Sequence, residues 1–202
     1  MIKNIVFDMG NVLISYDPLR YTSLFADNEE DGELLHREVF KSVEWIKLDR
    51  GTITVEEAIT SINSRIPERL HGMIKEVFDN WHRDLPPYDE VEDLVKRLKN
   101  NGYKIYLLSN TSITYHKFKL NVPAVKYLDG EFISAEHNML KPELRIYETF
   151  YETFNLTPEE CLFIDDNSAN IEAAEVTGMR GIVYHGDVVA LEETMSSYGI
   201  RL

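Results

Sequence analysis

The sequence has a single cysteine, little positive charge and no long apolar run. Cys161 alone cannot form an internal disulfide, and its isolation suits a reducing compartment, so we expect a cytoplasmic protein. No stretch of about 18 apolar residues occurs, so neither a membrane span nor a membrane partner is expected. Asp8 interrupts the apolar residues that follow Lys3, a pattern that does not favour a signal peptide.

The sequence has fewer basic than acidic residues: 21 Lys and Arg against 35 Asp and Glu, which gives a formal net charge of -14. Nonspecific binding to nucleic acid or to an anionic membrane is therefore not expected. An anionic small molecule stays compatible with this charge if a metal ion or a local lysine reverses the sign at the site.

Continuous apolar runs predict buried strands of a parallel sheet that is covered on both faces. Helical patterns separate the runs, so the predicted fold class is α/β with right-handed crossovers. The four clear runs are Ile5–Phe7, Ile105–Leu108, Cys161–Ile164 and Gly181–Tyr184, and a weaker one is Gly130–Ile133. A capping-box pattern at Thr157–Glu160 predicts a further helix start.

Residues 16–86 contain no convincing strand. One helix is predicted through Leu35, Val39, Val43 and Ile46, a second after the capping box at Thr54–Glu57, and a third from Leu70 to Trp81. Pro86 and Pro87 then separate this stretch from the α/β pattern. We expect an α/β core formed by residues 1–15 and 87–202, with residues 16–86 inserted as a helical domain.

Polar residues of a particular kind stand where three of the predicted strands end. They are Asp8, the run Ser109–Thr111 and the run Asp165–Asn167, and Lys141 precedes a helix that could reach the same edge. Ligands of open parallel sheets bind at the carboxyl ends of the strands, so these side chains should converge on one crevice.

This set of residues suits phosphoryl transfer. Asp8 would be the nucleophile and form an aspartyl phosphate. Asp8, the Gly10 carbonyl and Asp166 would bind Mg²⁺, with Asp165 contributing directly or through water. Phosphate would be held by Ser109, Asn110 and Lys141, and the lysine would also neutralise its charge.

Four segments in order resemble the signature motifs of the haloacid dehalogenase (HAD) superfamily: "FDMGNV", "LLSN", "LKPELRIYE" and "FIDDNSANIEAA". The resemblance implies a Rossmann-like core in which the strand of the first motif lies between those of the second and fourth. It also implies an inserted helical cap, a nucleophilic first aspartate and, for most members, a Mg²⁺-dependent phosphatase. The form of the first motif resembles the branch that includes alpha-D-glucose-1-phosphate phosphatase.

Gly10 departs from the family pattern, because most of its phosphatases have a second aspartate there as general acid and base. A leaving group that needs little protonation would fit this glycine, and so would another proton donor. The candidate donors are Asp17, His36, Asp49 and His82, or a water molecule. The expected activity is hydrolysis of a small phosphorylated metabolite, with a sugar 1-phosphate as one candidate.

Two other functions compete with this one. A metal-independent haloacid dehalogenase would use the same aspartate, but it would have no use for the paired charges of Asp165 and Asp166. A weakly active binding or regulatory protein would fit the missing acid at Gly10. The sequence does not indicate an oligomeric state.

Several other residues have ordinary structural interpretations. Trp45 and Trp81 are expected to pack within the cap, and Cys161 within the core. Arg50–Gly51 fits a loop that approaches the substrate or an ordinary turn equally well. Asn170 stands where many relatives have an acid, and either orients the site or faces solvent.

Overall fold

A five-stranded parallel sheet forms the centre of the fold, in the order β3-β2-β1-β4-β5. The computed structural model describes all residues, Met1–Leu202. The strands are β1 (Asn4–Phe7), β2 (Lys104–Ser109), β3 (Gly130–Ile133), β4 (Cys161–Asp165) and β5 (Arg180–Val183). All five predicted strands and the α/β class are confirmed, and β1 lies between β2 and β4 as the family resemblance implied.

Six helices accompany the strands of this sheet. They are α6 (Asp89–Asn100), α7 (Tyr115–Phe118), α8 (Ser134–His137), α9 (Leu144–Phe154), α10 (Ser168–Val176) and α11 (Val188–Ser197). Alternate residues of β1 point to opposite faces, so Val6 joins an apolar cluster with Tyr147 and Phe150 of α9, while Ile5 and Phe7 join a separate, larger cluster. Cys161 is fully buried on the α9 side, as predicted.

Between β1 and α6 the chain forms only helices, and residues 16–86 are called the helical segment below. Its helices are α1 (Pro18–Ser23), α2 (Glu29–Val39), α3 (Val43–Arg50), α4 (Val55–Asn63) and α5 (His71–Asn80). Its apolar residues, such as Leu35 and Trp81, belong to the same cluster as Ile5 of the sheet. None of the helices combines the length and the apolar character that crossing a membrane requires.

The two connections of the helical segment to the sheet run side by side. The Ser15 N–H donates to the Pro86 carbonyl at 2.8 Å, and the Tyr88 N–H donates to the Leu13 carbonyl at 3.1 Å. These paired bonds hold both crossings at one place, close to the end of β1.

Two local predictions are wrong. The helix predicted through Leu35 and Ile46 is two helices, because the Ser42 hydroxyl accepts a hydrogen bond from the Trp45 N–H at 3.2 Å and starts α3. The predicted helix start at Thr157 is only a 3₁₀ turn over Pro158–Glu160, and β4 begins directly after it. The capping box at Thr54 is confirmed, with Glu57 as its partner.

Candidate active site

A lysine between two carboxylates forms the centre of the site at the carboxyl edge of the sheet. The Lys141 ammonium lies 2.8 Å from Asp8 Oδ1 and 2.7 Å from Asp165 Oδ2, and it donates to the Leu108 carbonyl at 3.0 Å. Its side chain is 1% exposed. The three partners follow β1, end β4 and belong to β2, so the sheet itself places them at one edge.

Asp165 is fully buried and its two oxygens accept several hydrogen bonds. Asn170 Nδ2 lies 3.0 Å from each oxygen, the Asn167 N–H donates to Oδ1 at 2.8 Å, and Lys141 donates to Oδ2. Asn170 is thus buried and bound to Asp165 and does not face solvent. A buried carboxylate with this many donors is fixed in place and orients the lysine beside it.

Asp8 accepts fewer hydrogen bonds than Asp165. Its Oδ1 lies near the Lys141 ammonium but outside hydrogen-bond geometry, and no other group donates to this buried atom. Burial raises the pKa of Asp8 to about 6, an effect that Lys141 opposes and Asp165 reinforces. Although burial lowers the pKa of Lys141, the two carboxylates raise it overall, so the lysine stays charged.

Asp8, Asp165 and Asp166 each offer an oxygen, and these atoms lie within 4.8 Å of one another. Asp166 is exposed, and its Oδ2 accepts a hydrogen bond from Asn11 Nδ2 at 3.0 Å. This all-oxygen donor set, with more negative than positive charge, fits a hard divalent cation.

The turn after β1 is held by Asn11 in the left-handed region, with a φ of 55°. Its Oδ1 accepts from the Tyr16 N–H at 3.1 Å, while its Nδ2 reaches Asp166, so the turn is tied to the end of β4. Gly10 lies within this turn, and a Cβ added there would be 3.5 Å from Tyr16 Cβ, an ordinary contact. A side chain at position 10 is therefore sterically acceptable.

The side chain of Asn110 supports Lys141. Its Nδ2 donates to the Lys141 carbonyl and its Oδ1 accepts from the Lys141 N–H, both at 2.9 Å. The amide of Asn110 is thus occupied by the main chain, a role that its motif position could not reveal. Ser109 is buried at the end of β2 and faces the same cavity.

A cavity of about 430 Å³ opens above these residues. We call its sheet side the floor and its helical side the roof. The floor comprises Asp8, Met9, Gly10, Asn11, Ile14, Ser109, Asn110, Thr111, Lys141, Asp166, Asn167 and Asn170, and the roof comprises Tyr16, Pro18, His36, Phe40, Lys41, Trp45, Asp49 and Trp81.

The roof is rich in aromatic side chains. The rings of Trp45 and Trp81 are 5.3 Å apart, and that of Phe40 lies 4.4 Å from Trp45. The two tryptophans pack against each other, as predicted, and they also line the cavity, which sequence reasoning missed. Helical spacing predicts that such residues share an apolar face but does not reveal that the face borders a cavity.

The four candidate proton donors separate into two groups. Asp49 and His36 line the cavity, whereas Asp17 and His82 do not. The carboxylate of Asp17 caps α1, and the His82 ring stacks on Phe118. Burial raises the pKa of Asp49 well above its ordinary value. The Ser112 N–H opposes this rise, and the charge of Asp8 adds to it. Burial and then Lys41 lower the pKa of His36.

The end of α3 contacts the core. The Ser134 hydroxyl donates to the Asp49 carbonyl at 2.6 Å, and Arg50 forms an ion pair with Glu143. Gly51 has a φ of 75°, and a Cβ there would lie 2.0 Å from the Ala135 carbonyl oxygen, so only glycine allows this approach. The Arg50–Gly51 turn is thus the point where the helical segment meets α8 and the residue before α9.

The comparisons with known proteins agree with this geometry. Residues 2–178 match the family described as haloacid dehalogenase-like hydrolase. The chain belongs to this family. It is therefore a haloacid dehalogenase-like hydrolase, and the family prediction from its four motifs is confirmed. The narrower resemblance to the glucose-1-phosphate phosphatase branch stays a prediction.

Two curated relatives of this hydrolase are phosphatases by name. A sesquiterpene phosphatase of Aspergillus oryzae is 28% identical over 182 residues, which are 89% of this chain and 88% of the relative. A D-ribitol-5-phosphate phosphatase of Bacteroides thetaiotaomicron is 26% identical over 197 residues, with 89% and 90% covered.

A solved structure shares the fold of this haloacid dehalogenase-like hydrolase. It is a HAD family enzyme of Bacteroides thetaiotaomicron in complex with magnesium and inorganic phosphate. Its TM-score is 0.73 at 24% identity, and the match covers 95% of this chain and 99% of the other.

Proposed function

We propose that this hydrolase is a Mg²⁺-dependent phosphatase of a small phosphorylated metabolite and works through an aspartyl phosphate on Asp8. The observation that carries the proposal is the state of Asp8: its Oδ1 lies 2.8 Å from a fixed ammonium, and no other group donates a hydrogen bond to it. Such an oxygen is available for attack on an electrophile. The phosphatase names of the two relatives support the same reaction class.

Lys141 has the clearest task in this reaction. Its ammonium is held by Asp8, Asp165 and the Leu108 carbonyl, so it cannot swing away when a substrate enters. A fixed positive charge stabilises the negative charge that phosphoryl transfer spreads over the phosphate oxygens. Ser109, main-chain N–H groups and the Asn110 turn complete the proposed phosphate site.

Asp8, the Gly10 carbonyl and Asp166 would hold the metal ion. Asp165 would contribute through water, since its two oxygens already accept hydrogen bonds from Lys141, Asn167 and Asn170. When bound, Mg²⁺ supplies positive charge that offsets the repulsion between the carboxylates and a phosphate.

The helical segment serves as the cap, and its roof selects the organic group of the substrate. Aromatic faces favour a group that presents C–H surface, which is a property of sugars, polyols and terpenes alike. A sugar 1-phosphate therefore stays a candidate. The named substrates of the two relatives add a ribitol phosphate and a sesquiterpenyl phosphate to the test set.

The competing functions fit the site less well. A metal-free dehalogenase would leave three carboxylates, Asp8, Asp165 and Asp166, with only the ammonium of Lys141 to compensate their charge. A purely binding protein would not need an under-satisfied carboxylate at the phosphate position.

The test is phosphate release from a panel of phosphorylated metabolites, with Mg²⁺ and with a chelator. The panel contains glucose 1-phosphate, ribitol 5-phosphate, farnesyl phosphate and acetyl phosphate, and halide release from a 2-haloacid is measured in parallel. We expect phosphate release that requires Mg²⁺. Halide release that is insensitive to the chelator would instead establish the dehalogenase, and no turnover of any compound would favour the binding protein.

A further inference from the structure

The floor has no spare acid for a leaving group once Asp8, Asp165 and Asp166 act as nucleophile and metal ligands. Gly10 carries no side chain, the amide of Asn11 is committed to Tyr16 and Asp166, and Lys141 is enclosed by its three oxygen partners. The proton must therefore come from the roof or from water.

Among the titratable groups of the roof, Asp49 has the properties of such a donor. It lines the cavity together with Asp8, and burial raises its pKa, an effect to which the charge of Asp8 adds, so the protonated carboxyl group is favoured. His36 is less suitable, because burial lowers its pKa and favours the neutral ring. Lys41 is exposed to solvent at the edge of the roof.

The structure also fixes the position of Asp49. The carbonyl of this residue is bound by Ser134, and the following Gly51 packs directly on Ala135. Arg50, the other neighbour, turns its guanidinium to Glu143. With the guanidinium bound there, the Asp49 carboxyl group is left without a cationic partner that would hold it ionised.

We propose that Asp49 is the general acid and base of this site and replaces the missing acid at position 10. This inference rests on the proposed phosphatase function and adds a catalytic residue to it. Asp49 lies on the cap, so the proton donor and the nucleophile belong to opposite sides of the cavity.

The proposed steps conserve atoms and protons. A carboxylate oxygen of Asp8 forms a bond to phosphorus while the bond from phosphorus to the leaving oxygen breaks, and the Asp49 proton passes to that oxygen to give a free alcohol. Asp49, now ionised, then removes a proton from water. The water oxygen attacks phosphorus, the bond to Asp8 breaks, and phosphate leaves with both aspartates restored to their starting forms.

The test is a series of aryl phosphates of graded leaving-group pKa, together with glycerol phosphate, assayed with the Mg²⁺-loaded enzyme. Asp49→Asn should lower kcat/KM about 10²- to 10⁴-fold for the poorest leaving groups and much less for 4-nitrophenyl phosphate, because only poor leaving groups need the proton. The same variant should show a burst of phenol release, since it forms the phosphoenzyme faster than it hydrolyses it.

Two further variants make the result specific. Asp17→Asn is the matched control: this aspartate caps α1 outside the cavity, and asparagine caps helices equally well, so its kinetics should match the wild type. Adding Gly10→Asp to Asp49→Asn should restore part of the lost rate on poor leaving groups, because position 10 has room for a side chain.

A uniform loss across the series in Asp49→Asn would indicate a structural role and overturn the inference. An unchanged series in that variant would overturn it as well, while the phosphatase function would stand. A wild type that releases no phosphate from any compound, or an Asp8→Asn variant as active as the wild type, would instead refute the function on which the inference depends.

Discussion

The floor and the roof of the cavity differ in how many partners their charged side chains have. In the floor, Asp165 and Lys141 are buried and bound by several partners each, so their positions are fixed. In the roof, Asp49 is half-buried, forms no ion pair and lines the cavity together with aromatic side chains. Under the proposed function, the fixed floor would hold the constant group, the phosphate, whereas the roof would serve the part of the reaction that changes with the substrate.

The largest expected effect is the loss of activity in Asp8→Asn, because an amide is a poor nucleophile. We expect kcat to fall more than about 10⁴-fold, the order found when an activated nucleophile is removed. Near-normal phosphate release would show that the floor does not supply the nucleophile.

The same variant tests whether ionised Asp8 lowers the stability of the folded protein. Burial raises the pKa of Asp8 from 3.8 to about 6, so the unfolded chain releases this proton at lower pH than the folded one. Ionised Asp8 therefore destabilises the fold, increasingly from pH 3.8 to about 6, and fully above it. At pH 7.5 without divalent cations, Asp8→Asn should melt no lower than the wild type by calorimetry. A Tm below that of the wild type would contradict the expectation that ionised Asp8 destabilises the fold.

The second prediction contrasts two neighbouring carboxylates. Asp165→Ala leaves buried Lys141 with one partner fewer and should cost about 3–5 kcal/mol in the free energy of unfolding. Asp166→Ala removes an exposed side chain, so it should leave stability almost unchanged and raise the Mg²⁺ concentration needed for half-maximal activity. Urea denaturation and a Mg²⁺ titration of both variants measure the difference. A reversed pattern would make Asp165 the main metal ligand.

The third prediction concerns the contact between roof and floor. Gly51→Ala would force the end of α3 away from the Ala135 carbonyl and displace Asp49, so kcat/KM for poor leaving groups should fall. Gly102→Ala is the matched control, because its φ is +90° but no atom lies within 4 Å of the added Cβ. It should cost only about 1–2 kcal/mol of backbone strain and leave the kinetics unchanged. Equal kinetics in both variants would show that the position of Asp49 is unimportant.

The smallest effect is expected for the ion pair of Arg50 and Glu143. Both side chains are partly exposed, so a double-mutant cycle should give a coupling energy below about 1 kcal/mol that decreases with added salt. The Lys75–Asp79 pair within α5 is a control that lies inside the helical segment. A much larger coupling for Arg50 and Glu143 would mean that roof and floor are tied together more tightly than an exposed pair allows.

Most of the floor was predictable from sequence because strand ends of a parallel sheet converge. Asp8, Ser109 and Asp165 each follow a continuous apolar run, and such runs are recognisable without a structure. The bonds between Asn110 and Lys141 were not predictable, since they join two loops 31 positions apart. The bond from Asn11 to Asp166 spans 155 positions and was equally hidden.

Less of the roof could be predicted from the sequence. Periodicity identified its helices but joined α2 to α3, because the stop and restart at Ser42 depends on one side-chain hydrogen bond. It also left Asp49 unranked among four candidates. Which end of α3 meets the core depends on Ser134 and Ala135, which lie more than 80 positions away.

The acidic cluster has a further consequence for charge neutrality. Three carboxylates against one ammonium leave the ionised site with two negative charges. One divalent cation compensates them completely, whereas a monovalent cation would leave half of the charge in place. Glycine at position 10 and asparagine at position 170 keep this balance, since an acid at either place would add a third charge. Under the proposed function, a phosphate dianion would thus enter a metal-loaded site that is electrically neutral, and one divalent ion would suffice to make it so.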